Sequence, residues 1–297
     1  MKPLGTALFV LALLCGATAQ EPPARVTVLY DAFGKTSTLK RGWGYSALVE
    51  YRGKRILFDT GGNLDDFAFN ANAIGVDLTR LDFVVLSHRH GDHTSGLHQV
   101  LKVNPTVPIY TPAEGANFDT PTSPALVGLI KRRVESAPEE MHYFDGKYPE
   151  RFASGSPWPG ARFTQIRTPA EVSPGFWLLS TQSDTPGTRE MNEVSMAIKT
   201  SEGLVVMVGC SHPGIERILA GASTIDSRIY TVFGGLHLVD VTDVQVSSMV
   251  TRLRDQWKLE RVAAGHCSGE FAFSELDRVF GPRFDHPGVG HVMPLPR

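Results

Sequence analysis

The chain has few cysteines and no marked excess of charge of either sign. Only 3 of its 297 residues are cysteine, which excludes a scaffold held together by disulfides. Lys and Arg number 29 against 31 Asp and Glu, a formal net charge of −2. Proteins that bind nucleic acid in general carry a clear basic excess, so this balance argues against a nucleic-acid partner.

The chain also has no apolar run at its N-terminus that is long enough to span a membrane. Ala7–Leu14 follows Lys2 and precedes Ala17-Thr18-Ala19, a small-x-small cleavage sequence. We therefore predict a signal peptide over residues 1–19, cleaved near Ala19, and a periplasmic or secreted protein without a stable membrane anchor. Lipidation at Cys15 is an alternative, which the bulky side chain before it argues against.

Residues 20–297 read as one α/β domain. Hydrophobic residues make up 42% of the chain and charged residues 20%, which suits a globular protein with a buried core. Hairpin-like and βα-like segments occur together, so we predict two mixed β-sheets with helices outside. The Pro- and Gly-rich segment 111–174 is predicted to be an insertion that covers a pocket. The predicted strands are 25–30, 45–51, 55–59, 81–86, 177–181, 194–199, 203–208, 228–233 and 261–264, and the predicted helices are 64–74, 95–102, 125–134, 214–221, 242–257 and 273–280.

Residue types that bind metals follow the strand predicted over 81–86. The segment Ser87–His93 places three imidazoles and a carboxylate within a few residues. Neutral imidazole and carboxylate are preferred ligands of zinc and of other borderline divalent metals. His88 and His90 are two apart in an extended turn and can share one metal. Asp92 and His93 face a neighbouring point and can begin a second site.

Three further histidines, His212, His237 and His266, each follow an apolar strand-like segment. Functional groups of α/β folds gather where strands end, so we predict that His212 and His266 bind metal. His237 is left open between metal ligand, substrate contact and proton donor. The remaining histidines, His98, His142, His286 and His291, lack this setting and are assigned to the surface or to packing.

The segment Ser87–His93 resembles the H-x-H-x-D-H signature of the metallo-β-lactamase superfamily. Ile56–Gly61 resembles the early strand of that superfamily that ends in Asp-Thr-Gly, whose aspartate, here Asp59, supports a ligand histidine. Gly209–Ile215 and the later Gly-Gly-Leu-His-Leu and Gly-His-Cys-Ser-Gly segments are similar to the dihydropterin-synthase-like branch. The resemblance implies an αββα sandwich, two mixed β-sheets flanked by helices, with metals at one edge of the paired sheets.

Two departures from the superfamily pattern affect the metal ligands. Ser180–Pro186 has no histidine where most members carry one, and Gly209-Cys210-Ser211 replaces the turn that carries the usual bridging aspartate. Either the Cys210 thiolate or His212 must then complete the first site, since zinc accepts both donors. We favour His212, because a metal-bound thiolate in an exported protein risks oxidation. Asn192-Glu193 also departs from the branch, which argues against a pterin substrate.

The resemblance implies a metal-dependent hydrolase with two divalent metal ions, zinc or, alternatively, manganese or iron. A metal-bound hydroxide would attack a small molecule with an ester, lactone or phosphoester bond. Asp92 and His237 are the predicted catalytic residues, with His237 as the proton donor to the leaving group. Arg89 is expected behind the ligands or facing the substrate. The predicted metal ligands are His88, His90, Asp92, His93, His212 and His266, and the possible apolar walls of the pocket are Phe144, Trp158 and Phe163.

Two other functions stay open. A transferase of the dihydropterin type would move a ribosyl-phosphate group, but export separates the protein from phosphorylated pterin precursors. A metal-binding or sensing module without catalysis would keep the ligands and fill every coordination position. The sequence leaves the oligomeric state open. Cys210 and Cys267 should both lie near the metals, and we predict free thiols there rather than the disulfide that export would favour.

Overall fold

The computed structural model describes residues 22–35, 38–114, 157–188 and 191–297, together with 128, 131–132, 136, 138, 141–142 and 147–148. The predicted signal peptide, most of the predicted helix 125–134, and Phe144 lie outside the described residues. Among the residues that are described, none of the helices combines the length and the apolar character that a membrane crossing requires.

Fourteen strands of the described chain form two seven-stranded mixed sheets. The strands are β1 (Arg25–Tyr30), β2 (Ser46–Tyr51), β3 (Lys54–Phe58), β4 (Phe83–Val85), β5 (Pro108–Pro112), β6 (Arg162–Ile166), β7 (Ala170–Ser173), β8 (Phe176–Gln182), β9 (Asn192–Thr200), β10 (Gly203–Val208), β11 (Ile229–Gly235), β12 (Arg261–Gly265), β13 (Phe284–Asp285) and β14 (Val292–Pro294). The first sheet has the order β14-β1-β2-β3-β4-β5-β6, and the second has the order β13-β12-β11-β10-β9-β8-β7.

Helices cover the outer faces of both sheets. Those of the described chain are α1 (Leu64–Ile74), α2 (Gly91–Thr94), α3 (Leu97–Val103), α4 (Ile215–Ser223), α5 (Asp243–Asp255) and α6 (Glu270–Phe280), with 3₁₀ turns at Leu78–Arg80, His266–Ser268 and Gly281–Arg283. One apolar core lies between the two sheets, a second between the first sheet and α1 and α3, and a third between the second sheet and α4, α5 and α6. The predicted αββα sandwich is confirmed.

Local sequence explains several of these elements. Arg52 and Gly53 both have positive φ, as a tight turn between β2 and β3 requires, and the hairpin lies where the sequence predicts it. The Asn63 side chain accepts the backbone N–H groups of Asp65 and Asp66 at the start of α1. Gly75, with φ of 80°, ends the helix at the predicted residue.

Other elements differ from the sequence prediction. The helix predicted over 95–102 is α3, which begins two residues later, and a separate short helix, α2, begins at Gly91 inside the predicted loop. The two helices are separated at Gly96, where a Cβ would lie 2.2 Å from the Thr60 carbonyl oxygen. The strands β5, β13 and β14 were not predicted, because prolines flank the first and the other two are very short. Strands β6 and β7 lie inside the segment 111–174, so part of that segment belongs to the sheets.

Asn70, fully buried on α1, connects this helix to the chain that leads from β1 to β2. Its amide donates to the backbone carbonyls of Leu29 and Lys40, at 2.9 and 2.8 Å, and its oxygen accepts the Lys40 N–H at 2.8 Å. We expect Asn70→Ala to lower the free energy of unfolding by about 2–3 kcal/mol, since it leaves buried backbone groups without partners. Denaturant unfolding measures the loss. Asn72→Ala, on the exposed side of the same helix, should change stability by less than about 0.5 kcal/mol, and equal effects of the two changes would contradict this role.

Candidate metal centre

The histidines and carboxylates singled out in the sequence meet at one edge of the two sheets. Asp59 follows β3 and the segment Ser87–His93 follows β4, two parallel neighbours in the first sheet. Residues 210–212, His237 and His266 follow β10, β11 and β12, which are parallel neighbours in the second sheet. Because the carboxyl ends of parallel strands meet at one edge, side chains distant in sequence come together there.

Asp59 is a fully buried carboxylate that orients the first group of ligands. One carboxylate oxygen accepts the Ser87 backbone N–H at 2.7 Å, and the other accepts the Ser87 hydroxyl at 2.7 Å and contacts His93 Nδ1 at 2.7 Å. Burial raises the pKa of Asp59, while His93 and these hydrogen bonds oppose the increase. Burial lowers the pKa of His93, but the neighbouring acidic groups, Asp59 first, together outweigh burial and raise the pKa to about 9. The contact with Asp59 therefore leaves His93 Nε2 as the atom that faces the site.

The same carboxylate determines the tautomer of His88. The Ser87 hydroxyl donates its only proton to Asp59, so the His88 Nδ1–H donates to Ser87 Oγ, 2.8 Å away. The Nε2 of His88 then carries a lone pair that faces the site. Burial, with the neighbouring imidazoles, lowers the pKa of His88 well below its usual value. A neutral imidazole with a fixed, inward lone pair is the form that binds a metal ion.

His212 is held by a second buried carboxylate, Glu193 on β9. Glu193 accepts the backbone N–H groups of Cys210, Ser211 and His212 at 2.9, 2.7 and 2.9 Å, and lies 3.0 Å from His212 Nδ1. Burial raises the pKa of Glu193, but the hydrogen bonds from His212 and Ser211 outweigh it and the net pKa is lowered. This role of Glu193 was not predicted, although an acidic residue within the apolar strand β9 was the available signal.

His266 depends on a third buried carboxylate that the sequence analysis missed. Asp31 follows β1 directly and accepts the His266 backbone N–H, at 3.1 Å to its nearer oxygen. This contact holds His266 at a φ of 48°, a conformation that few residues other than glycine adopt. Burial raises the pKa of Asp31 to about 8, opposed by the backbone N–H groups that it accepts. The ring of Trp43 lies 5.1 Å from that of His266.

The donor atoms form two neighbouring clusters, in each of which they lie within 4.8 Å of one another. Cluster 1 contains His88, His90 and His212, and cluster 2 contains Asp92, His93 and His266. In cluster 2 the Nε2 atoms of the two histidines are 3.2 Å apart, and an Asp92 oxygen lies 3.6 and 3.5 Å from them. Two nitrogens bound to a tetrahedral zinc at 2.0–2.1 Å are about 3.3 Å apart. The spacing and the donor types of the clusters therefore fit a divalent cation.

Two buried cysteines lie against the clusters. Cys210 Sγ is 3.2 Å from His93 Nε2, and Cys267 Sγ lies 3.7 Å from the Cys210 carbonyl oxygen. Both thiols are free. Burial raises the pKa of Cys210 well above its usual value. Burial also disfavours the thiolate of Cys267, but hydrogen bonds with Cys210 and His237 reverse this effect and lower its pKa well below the usual value.

His237 lies beside cluster 1 and is partly open to solvent. Its ring centroid is 4.4 Å from that of His212, and its φ is 48°. A hydrogen bond with Cys267 raises the pKa of His237, against the effect of burial. His212 and His237 line a cavity of about 440 Å³ that extends to Arg217 at the start of α4.

Other residues from the sequence analysis lie elsewhere or have a different neighbour. His98 contacts the ring of Trp158 on the outer side of the first sheet, at 5.6 Å between centroids, and Trp158 packs with Phe163 in that core. His286 packs between Phe33 and Phe273. Arg89 points to Glu114, with 2.9 Å between its guanidinium and the carboxylate. Sequence reasoning missed Glu114, which also accepts the Asn192 backbone N–H.

Residues 41–182 match the family model described as the metallo-beta-lactamase superfamily. Over these residues the chain is similar to the metallo-β-lactamase superfamily. The matched range contains Asp59 and the whole segment Ser87–His93, and that segment supplies two of the three members of each cluster. The resemblance seen in the sequence is confirmed.

Individual similar proteins align with most of the chain. The 7,8-dihydropterin-6-methyl-4-(β-D-ribofuranosyl)-aminobenzene-5'-phosphate synthase of Methanocaldococcus jannaschii is 26% identical, over 90% of this chain and 95% of that protein. The uncharacterized protein MJ0448 of the same organism is 27% identical, over 82% and 91%. The crystal structure of Tm1679, described as a metal-dependent hydrolase of the β-lactamase superfamily, is similar with a TM-score of 0.69 and 24% identity, over 92% and 100%. This likeness shows the shared fold.

Removing one ligand should empty one site and leave the other. We expect protein loaded with zinc and then desalted to hold about one equivalent less after Asp92→Ala or His90→Ala than before, because each change removes a donor from one cluster only. Elemental analysis measures the content. The control is His98→Ala, which removes a histidine outside both clusters and should leave the metal content unchanged. Full occupancy in Asp92→Ala protein would contradict a site at cluster 2.

Proposed function

We propose that the protein is an exported metal-dependent hydrolase that acts on a small molecule with an ester, lactone or phosphoester bond. The main support is the presence of two donor clusters side by side, each with the spacing that a divalent cation requires.

The proposal of export rests only on the sequence of residues 1–19. N-terminal sequencing of protein recovered outside the cytoplasm tests it, and a retained Met1 would contradict it.

The donor chemistry favours zinc over harder cations. Five of the six predicted ligands are imidazoles and a buried sulfur lies between the clusters, whereas Mg²⁺ and Ca²⁺ prefer sites made of oxygen atoms. Manganese and iron remain alternatives for a site of imidazoles and one carboxylate. A divalent metal bound here supplies a Lewis acid and lowers the pKa of coordinated water towards neutrality.

The exposure of the individual ligands indicates the side from which a substrate reaches the clusters. The side chains of His88, His93 and His266 are fully buried or nearly so, and they form the floor of the site. His90 is half-buried, and 21% of the Asp92 side chain and 29% of the His237 side chain are exposed. The cavity beside His212 has the volume of a small-molecule site.

Beside the ligand Asp92, two residues at this opening, His237 and Arg89, can act on the substrate itself. Asp92 is held by His266 and His93, which lower its pKa although burial raises it, so the carboxylate stays ionised as a ligand. His237 lies beside His212 at the cavity, where its imidazole can deliver a proton to a leaving group. Arg89, oriented by Glu114 and 39% exposed, carries positive charge next to the ligands and can attract an anionic substrate.

The similarity to the methanogen synthase supports a second candidate, a synthase or transferase that moves a ribosyl-phosphate group. The two chains align over 90% of this one. Incubation with a dihydropterin that carries a leaving group on its 6-methyl carbon and with a ribofuranosylaminobenzene phosphate, followed by mass spectrometry, tests for the joined compound that the name of the relative describes. Formation of that compound without hydrolysis of any test substrate would favour this candidate over the hydrolase.

The hydrolase proposal predicts activity that depends on metal. Across a panel of ester, lactone, β-lactam, phosphoester and phosphodiester substrates, we expect turnover of at least one, loss of it after chelation, and recovery with zinc or manganese. Asp92→Ala protein prepared in the same way serves as the control for contaminating hydrolases, because it should lose the activity. Turnover that survives exhaustive chelation would place the chemistry elsewhere.

The role of His237 predicts an effect that depends on the leaving group. We expect His237→Gln to lower kcat for a substrate with a poor leaving group by about 10²–10⁴-fold, the usual value of a proton donor. For an activated ester, whose leaving group needs no proton, the loss should be much smaller. The two kcat ratios are compared with those of His98→Gln as the control. Equal losses on both substrates would show that His237 only shapes the site.

A further inference from the structure

Cys210, which the sequence offered as an alternative to His212 for the first site, lies between both clusters. Its Sγ lies within 4.8 Å of the donor nitrogens of His88 and His93, and 3.2 Å from Nε2 of His93. His88 belongs to cluster 1 and His93 to cluster 2. The sulfur therefore faces one ligand from each cluster.

The backbone around Cys210 is fixed, so this position of the sulfur is not incidental. Glu193 accepts the Cys210 N–H at 2.9 Å and the next N–H at 2.7 Å. A Cβ on Gly209 would lie 2.1 Å from Ser87 Oγ, and one on Gly235 would lie 2.5 Å from the Gly209 carbonyl oxygen. Close packing on both sides of the strand end therefore holds the backbone that carries Cys210 in place beside the clusters.

We propose that Cys210 binds as a thiolate shared by the metals of cluster 1 and cluster 2. The proposal rests on the metal sites proposed above and adds a sulfur ligand to them. A thiolate has lone pairs for two metals, and zinc, cobalt and iron accept sulfur donors. On binding, the S–H bond breaks, sulfur–metal bonds form, and the proton is released to solvent without any change of oxidation state.

Cys267 provides a matched comparison in the same environment. It is as buried as Cys210, and its sulfur forms a group with Cys210 and His237. Its Sγ contacts the Cys210 carbonyl oxygen at 3.7 Å. Among the described residues, no group of donor atoms joins Cys267 to a ligand of cluster 1 or cluster 2, so we assign it to positioning Cys210. Replacing each sulfur by oxygen separates the two roles with minimal change of volume.

The experiment is a cobalt titration of the metal-free full-length protein. Co²⁺ bound to a thiolate gives a sulfur-to-metal charge-transfer absorption in the near ultraviolet, which imidazole and carboxylate ligands do not give. We expect this absorption in the unchanged protein, its loss in Cys210→Ser, and its retention in Cys267→Ser. Elemental analysis of the same samples gives the metal content. For Cys267→Ser, which removes only a supporting contact, the affinity for cobalt should fall by no more than about 10–100-fold.

Variants with one remaining site test whether the sulfur is shared. Asp92→Ala leaves cluster 1 and His90→Ala leaves cluster 2, and a shared thiolate gives the absorption in both variants at about one equivalent of cobalt. Absorption in only one of them would overturn the sharing. Two equivalents of bound cobalt without the absorption, or absorption that depends on Cys267, would overturn the proposal and leave the metal sites standing. Binding of no cobalt would overturn the metal sites and the thiolate ligand together.

Discussion

The buried carboxylate of Asp59 is the interaction on which the geometry of the site depends. Burying a carboxylate away from water is unfavourable unless the carboxylate is hydrogen-bonded. Asp59 is stabilised by hydrogen bonds with the Ser87 N–H, the Ser87 hydroxyl and His93. These contacts fix the ring orientation of His93 directly and that of His88 through Ser87. One residue at the end of β3 thus orients one ligand in each cluster.

Buried carboxylates also hold the ligands that the second sheet contributes. Glu193 holds His212, and Asp31, at the end of the first sheet's β1, holds the backbone of His266. Each cluster contains two side chains from the segment after β4, which includes α2, and one from the second sheet. A metal bound to either cluster would connect the two sheets, so metal binding and stability of the sandwich should be coupled.

Sequence reasoning found the fold and the histidines because both leave local signals. The spacing within Ser87–His93 and a histidine after each strand are visible without a structure. The supporting carboxylates Asp31 and Glu193 were not found, because they lie 235 and 19 residues from the histidines that they hold. Such contacts arise from the pairing of strands and the packing of sheets. The short helix α2 was also missed, because its four residues lie inside a polar segment with the pattern of a loop.

The choice between a hydrolase and a synthase depends on groups other than the ligands. Clusters held by buried carboxylates orient a metal in the same way for either reaction. The residues that can distinguish one substrate from another lie at the opening of the site. There His237 lines the cavity, and Arg89 is held by Glu114. A proton donor beside the metals serves bond cleavage, since the leaving group must be neutralised there. A substrate with an anionic group near the bond to be cleaved would use both residues at once.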